Sequence, residues 1–133
     1  MRDFPDNKAI VRGMWEAYTN NDKEAFYAAM ADDIKFTVMG TTRLSLVVHG
    51  KQEMADKIIT PLTAAIEDGH KVVLDQFIGE GDWVVMLSRG FAVGKNGQPY
   101  NQHYAQIFRL EGGLVTEWTE YLDTGMLERI LED

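Results

Sequence analysis

The 133-residue chain is 45% hydrophobic and has no cysteine, which fits one ordinary domain that buries a core without disulfides or thiolate-metal support. Its 21 acidic and 13 basic side chains give a formal charge of -8, a field that repels phosphate backbones and anionic headgroups, so nucleic acid and membrane surfaces are not expected as partners. The charged run Met-Arg-Asp-Phe-Pro-Asp-Asn-Lys holds no apolar signal stretch, and no apolar segment approaches the roughly 20 residues that span a bilayer. A single domain over residues 1–133, in the cytoplasm, is the expectation.

From Lys8 to Asn20 the apolar residues Ile10, Val11, Met14, Trp15, Ala17 and Tyr18 recur at helical spacing, which predicts an amphipathic helix with Asn7 as its N-cap. The polar break Asn20-Asn21-Asp22 introduces a shorter helix over Lys23 to Met30 with Phe26, Ala29 and Met30 inward. Ile34, Phe36 and Val38 alternate with Lys35 and Thr37, the pattern of a strand with one buried face, and Gly40 ends it. Asp32-Asp33, at the junction before that strand, is expected to cap a turn rather than act as paired acids. After a short apolar stretch at Leu46 to Val48, the spacing Met54, Ile58, Leu62, Ile66 predicts a third helix opening near Gly50, which Pro61 should kink or split.

The second half reads as strands near Lys71 to Ile78, Trp83 to Val93, Tyr100 to Leu110 and Leu114 to Leu122, with hairpin signals at Glu80-Gly81-Asp82, Lys95-Asn96-Gly97 and Glu111-Gly112-Gly113. Met126 to Leu131 predicts a short last helix capped by Asp123 or Thr124. Three helices in the N-terminal half, segregated from a run of hairpins, indicate an α+β fold. Its curved, mostly antiparallel sheet and helices would enclose a cone-shaped pocket, and a short C-terminal helix completes the fold.

Three features carry a family resemblance over nearly the whole chain: Ala31-Asp32-Asp33-Ile34, the opening of the third helix at Gly50, and the segment Gly97 to Thr124 with its Gly-x-Pro-Tyr and Tyr-x-Asp-Thr pattern. In these the chain resembles the nuclear-transport-factor-2-like superfamily, of cystatin-like fold, and within it the SnoaL-like and ketosteroid-isomerase-related branch. The resemblance implies a homodimer formed through the sheet and a small-molecule pocket. It does not carry over the isomerase machinery, a helix-one tyrosine and two aspartates. The matching positions hold Met14, Val38 and Gln106, and neither a thioether nor an isopropyl group can move the proton that enolisation requires. Against the limonene-type epoxide hydrolases, the first-strand pair is Phe36 and Val38, the middle-strand Arg and Asp fall near Ser88 and Gly90, and only the last carboxylate has a counterpart, Glu120.

Which side chains face the pocket depends on turn length, because a one-residue slip flips every side chain. A three-residue loop at Glu111-Gly112-Gly113 sets residue 104 opposite 120, 106 opposite 118 and 102 opposite 122. Tyr100, Gln102, Tyr104, Gln106, Phe108, Trp118, Glu120 and Leu122 then share one face, and aromatics interleaved with amides and one acid suit a pocket wall. Met14, Tyr18, Phe36, Val38, Met86 and Ser88 complete the expected lining. At Lys95-Asn96-Gly97 a two-residue turn would set Arg89 opposite Tyr104 and a three-residue loop would set Ser88 there. Arg89 facing in would pair with Glu120.

Glu120 and Tyr104 are the expected catalytic residues. Burial among Trp118, Tyr104 and Phe36 would raise the Glu120 pKa toward that of a general acid or base, with Tyr104 and Gln102 as donors to a ligand oxygen. The bland alternative gives Glu120 an internal hydrogen bond or an ion pair with Arg89. His49, His70 and His103 lack metal-ligand spacing, so no metal is expected, and no histidine is placed in the pocket. No phosphate-binding glycine loop or nucleophile elbow is present, and no cofactor is expected. Three functions remain open: a cofactor-free isomerase, dehydratase, cyclase or hydrolase of a small apolar molecule, a non-catalytic binder of one, or a dimerisation module.

Overall fold

The computed structural model of the chain describes residues 6–132. Helix α1 (Asn7–Thr19) buries Val11, Met14 and Trp15. Its N-cap is Asp6, one residue before the expected Asn7, because the Asp6 carboxylate accepts the Lys8 N–H at 3.0 Å. Helix α2 (Lys23–Ala28) is capped by Asp22, which accepts the Ala25 N–H at 3.1 Å. It stops short of Met30, which already belongs to β1 (Met30–Val38). Strand β1 therefore starts four residues before the visible alternation, since its pairing is irregular between Met30 and Lys35. Asp32 and Asp33 lie exposed in that stretch, and Asp32 forms an ion pair with Lys51 at 3.3 Å instead of capping a turn.

The apolar stretch before Gly50 forms β2 (Val47–His49), antiparallel to β1. The third helical segment begins after Gly50 and is split as its proline demands. It runs as α3 (Lys51–Met54), a π-turn (Ala55–Ile59) and α4 (Thr60–Ala65). Pro61 has no N–H to give and its ring crowds the carbonyl four residues back. The turn before it widens to one more residue, with the Thr60 N–H reaching the Ala55 carbonyl.

Strands β3 (Lys71–Glu80), β4 (Trp83–Val93), β5 (Pro99–Glu111) and β6 (Leu114–Tyr121) form the expected antiparallel meander. β6 then pairs parallel with β1, giving the order β2-β1-β6-β5-β4-β3. Helix α5 (Thr124–Ile130) is capped by Asp123, which accepts the Met126 N–H at 3.0 Å, and buries Leu127 and Ile130. The result is the expected α+β architecture, a curved open six-stranded sheet whose inward face the helices cover.

Alternation decides what enters the core. β4 and β5 each bury every second residue over most of their length, from Val84 to Gly90 and from Tyr100 to Leu110. At the centre Trp118 meets Phe36 (ring centroids 4.2 Å apart), Phe108 (5.7 Å) and Trp15 (5.5 Å), a set of contacts favourable beyond area burial. We expect Phe108→Ala to lower the free energy of unfolding by about 3–5 kcal/mol. Leu114→Ala, at an exposed hairpin position, should change it by about 0.5 kcal/mol or less. Urea titrations of the two variants distinguish these outcomes.

Candidate functional site

The register of β5 on β6 places Gln106 opposite Glu120 and Phe108 opposite Trp118. This differs by two residues from the expected pairing of Tyr104 with Glu120. The turn is the two-residue Gly112-Gly113, both at positive φ (57° and 83°) as a twist-matched hairpin requires. A bulge between Arg109 and Leu110 adds the remaining offset. A shift of two preserves the alternation, so the inward set is unchanged and only its cross-strand partners differ. At the other hairpin the Gly94 N–H bonds the Gln98 carbonyl across a three-residue loop. Ser88 therefore stands opposite Tyr104, and Arg89 points outward in a two-pronged ion pair with Asp75 (2.8 and 2.9 Å).

The expected lining residues converge on the concave side of the sheet. Met14, Phe36, Val38, Met86, Ser88, Gln102, Gln106 and Trp118 are buried, Tyr104 is 9% exposed, and Tyr18 and Leu122 are half-buried against the core. Gln102, expected to serve a ligand, instead uses both ends of its amide on the backbone of Asp123. It donates to the carbonyl at 2.8 Å and accepts the N–H at 2.9 Å, pinning the start of α5. Gln106 accepts the Trp118 indole N–H at 3.1 Å and donates to Glu120 Oε1 at 3.2 Å.

Glu120 keeps partial solvent access yet is enveloped by protein, and this desolvation pushes its carboxyl up to about 7. Arg89 does not offset the effect, because it is engaged by Asp75. Burial likewise raises the Tyr18 and Tyr104 hydroxyls, and the Glu120 charge adds to both shifts. Tyr100, raised well above the usual phenol range in the same way, belongs to the group. All three are therefore neutral donors at ordinary pH.

Sequence reasoning missed two members of this site. His70, in the segment before β3, directs a buried Nε2 without a hydrogen-bond partner, and its ring lies 6.5 Å from that of Tyr18. It belongs to no alternating run, so no pattern marked its direction. Gly90 faces inward where a side chain would meet Tyr104. The Ser88 and Tyr100 hydroxyls and the Trp15 indole N–H are also buried without partners. Two surface concavities, of about 590 and 350 Å³, lie elsewhere, around His49 and Lys51 and around Asn7 and Gly81. Among the described residues no three His, Asp or Glu side chains are grouped as metal ligands, and no helix is long and apolar enough to cross a membrane.

A curved sheet with helices over its concave face, and a half-buried acid among tyrosines, describes a class of small α+β domains with a polar-dotted interior. The chain belongs to the SnoaL-like domain family, whose model matches residues 11–118. It is similar to an NTF2-like protein of unknown function from Burkholderia pseudomallei, with a TM-score of 0.84 and 23% identity over 98% of this chain and 100% of that one. An NTF2-like protein from Burkholderia thailandensis gives 0.86 and 20% over the same shares. TerC, in a crystal structure with polyporic acid, gives 0.79 and 18% over 96% of this chain and 98% of that one. No curated protein matches the chain.

The raised Glu120 carboxyl has a consequence for stability. Its value is near 4.5 when solvated and about 7 in the folded chain, so the folded state favours the proton. Its stabilising contribution is full below 4.5 and is lost as pH rises through 7. Relative to wild type, Glu120→Gln should therefore gain about 2–3 kcal/mol between pH 5 and pH 8. Urea unfolding of both proteins at the two pH values measures the difference, and a constant offset would refute the burial of the acid.

Proposed function

We propose that the chain binds a small, mostly apolar molecule within the cone and acts on it without a cofactor, as an isomerase, dehydratase, cyclase or hydrolase, with Glu120 as general acid-base and Tyr104 as donor to the ligand. The observation that carries this reading is Glu120 itself. It is held by Gln106 among aromatic side chains at a pKa of about 7, where a carboxyl group has both protonation states available at neutral pH. Membership of the SnoaL-like family and the co-crystallization of TerC with polyporic acid support a small-molecule ligand. The steroid-isomerase triad is not part of the proposal, since Met14, Val38 and Gln106 occupy its places.

A panel of uncharged phenols, cyclic ketones and quinones, screened by thermal unfolding, identifies binders to be tested as substrates. For a compound that is turned over, Glu120→Gln should leave binding within about threefold and lower kcat by about 10²–10⁴-fold. Unchanged turnover would sink the assignment. A non-catalytic binder is the second reading, favoured by the bond of Gln106 to Glu120 Oε1 at 3.2 Å, which occupies the acid internally.

We also propose a homodimer through the outer sheet face, where Val73, Phe91 and Tyr121 are exposed. Apolar side chains grouped on one open face are the usual mark of an interface. Sedimentation equilibrium at micromolar concentration should return twice the mass of one chain, and a single-chain mass would refute the dimer. A cytoplasmic setting, with neither nucleic acid nor membrane as partner, remains the reading of the charge and composition.

A further inference from the structure

The register of the sheet lays out its outward face in rows. Val73 of β3 stands opposite Arg89 of β4, and Arg89 opposite His103 of β5. The row on one side holds Lys71, Phe91 and Asn101, and the row on the other holds Gln76, Leu87, Ala105 and Tyr121. His103, itself exposed, therefore sits among Val73, Phe91 and Tyr121, the exposed apolar side chains through which the dimer is proposed. It is the one histidine of the chain in that group, since His49 lies on the edge strand β2 and the imidazole of His70 is directed into the interior.

The charges of this face offset one another. Arg89 is bonded twice to Asp75, and Arg109 meets Glu111 at 3.3 Å and Glu117 at 3.4 Å. Lys71 and Glu80, at the two ends of β3, add one charge of each sign. On β3 to β6 the outward face thus sets three cations against four anions, and it carries little of the chain's formal charge of -8. Two copies of a strongly acidic chain repel each other across most of their surface, and a face close to neutral is where they can meet.

Histidine is the side chain whose charge changes between about pH 5 and 8. A neutral imidazole packs against apolar groups with little penalty. An imidazolium at position 103 has the Arg89 guanidinium opposite it on β4. The carboxylate on which His103 acts, Asp75 of β3, is already balanced, because the hydrogen bonds from Arg89 hold its carboxyl below the ordinary value. Its other outward neighbours, Asn101 and Ala105 on β5 and Tyr121 on β6, carry no compensating charge. A two-fold contact brings the same patch from the second copy, so a proton there is a charge taken from water without a partner, which costs strongly.

We propose that His103 is a proton switch on the dimer: two chains associate through the outer sheet face while its imidazole is neutral and separate when it takes up a proton. The proposal rests on the dimer reading. Its sign sets it apart from the effect of overall charge. Acid lowers the net negative charge of both chains, which by itself relieves their repulsion and tightens association. Weakening on acidification therefore points to a group inside the contact. Glu120 titrates in the same range, at about 7, but on the inward face, and a variant of His103 leaves it in place.

Sedimentation equilibrium at micromolar concentration and constant ionic strength, at pH 7.5 and pH 5.5, tests this with wild type, His103→Gln, His103→Lys and, as a control outside the apolar group, His49→Gln. The dimer Kd of wild type and of His49→Gln should rise at least about tenfold on acidification. His103→Gln should hold its Kd within about threefold. His103→Lys, charged at both pH values, should already be at least about tenfold weaker than wild type at pH 7.5. A single-chain mass for wild type at pH 7.5 would overturn the dimer and the switch together. A wild-type dimer whose Kd does not rise, or rises equally in His103→Gln, would overturn the switch and leave the dimer standing. So would a pH response lost in His49→Gln, or a His103→Lys dimer as tight as wild type. Thermal unfolding checks that each variant is folded, and if His103→Lys is not, His103→Gln decides.

Discussion

The Trp118 indole can only donate, and its N–H meets the oxygen of the Gln106 amide at 3.1 Å. That single bond fixes which way the amide points. With the oxygen turned to Trp118, the NH2 end must face the opposite direction, where it reaches Glu120. The indole is itself held from several sides by Trp15, Phe26, Phe36 and Phe108. Positioning of Glu120 therefore derives from the aromatic cluster around Trp118. Parallel pairing of β1 with β6 enters here too, since it sets Phe36 beside Trp118 and Val38 beside Glu120. The first strand shields the acid on one side with an aliphatic group that cannot solvate it, and this desolvation raises the carboxyl.

How far the sequence reveals this arrangement depends on the range of the signal. Period-two alternation is local and strong in β5 and β6, so the inward residues from Tyr100 to Trp118 are legible one by one. Cross-strand partners are not, because they depend on turn chemistry and bulges. Two consecutive glycines at positive φ close the β5–β6 hairpin in two residues, and the bulge at Arg109 and Leu110 has no mark in the sequence. The two departures shift the register by an even number and so cancel in face but not in partner. This is why alternation turns Glu120 inward correctly and yet assigns it to Tyr104 instead of Gln106. The choice between Ser88 and Arg89 rests on one residue of loop length, and Gly94 bonding Gln98 settles it.

His70 is illegible for a different reason. Its place is set by where the third helical segment ends, and that end depends on the π-turn Pro61 provokes. After Ile66, which makes an isolated bridge with Gly94, the chain turns through Gly69 at a φ of 94°. This conformation favours glycine and redirects the chain entering β3. A side chain aimed by such a turn obeys no period. Gly90 is equally silent, since an inward glycine in a strand reads as a gap in alternation, and its meaning appears only with the neighbours that fill the gap.

The interior is more polar than a core selected for stability alone. Trp15, His70, Ser88 and Tyr100 each bury an atom without a partner, and each such atom costs about 1–3 kcal/mol relative to a satisfied one. Glu120 adds the cost of a carboxyl kept largely from water. Ser88 and Tyr100 lie on adjacent strands, Ser88 opposite Tyr104 and Tyr100 opposite Ala92, and His70 enters from the segment before β3. Three of the four are hydroxyl or indole groups that can give a hydrogen bond. Four unpartnered atoms and a desolvated acid in one interior are a polar load that the stability of the fold alone does not call for.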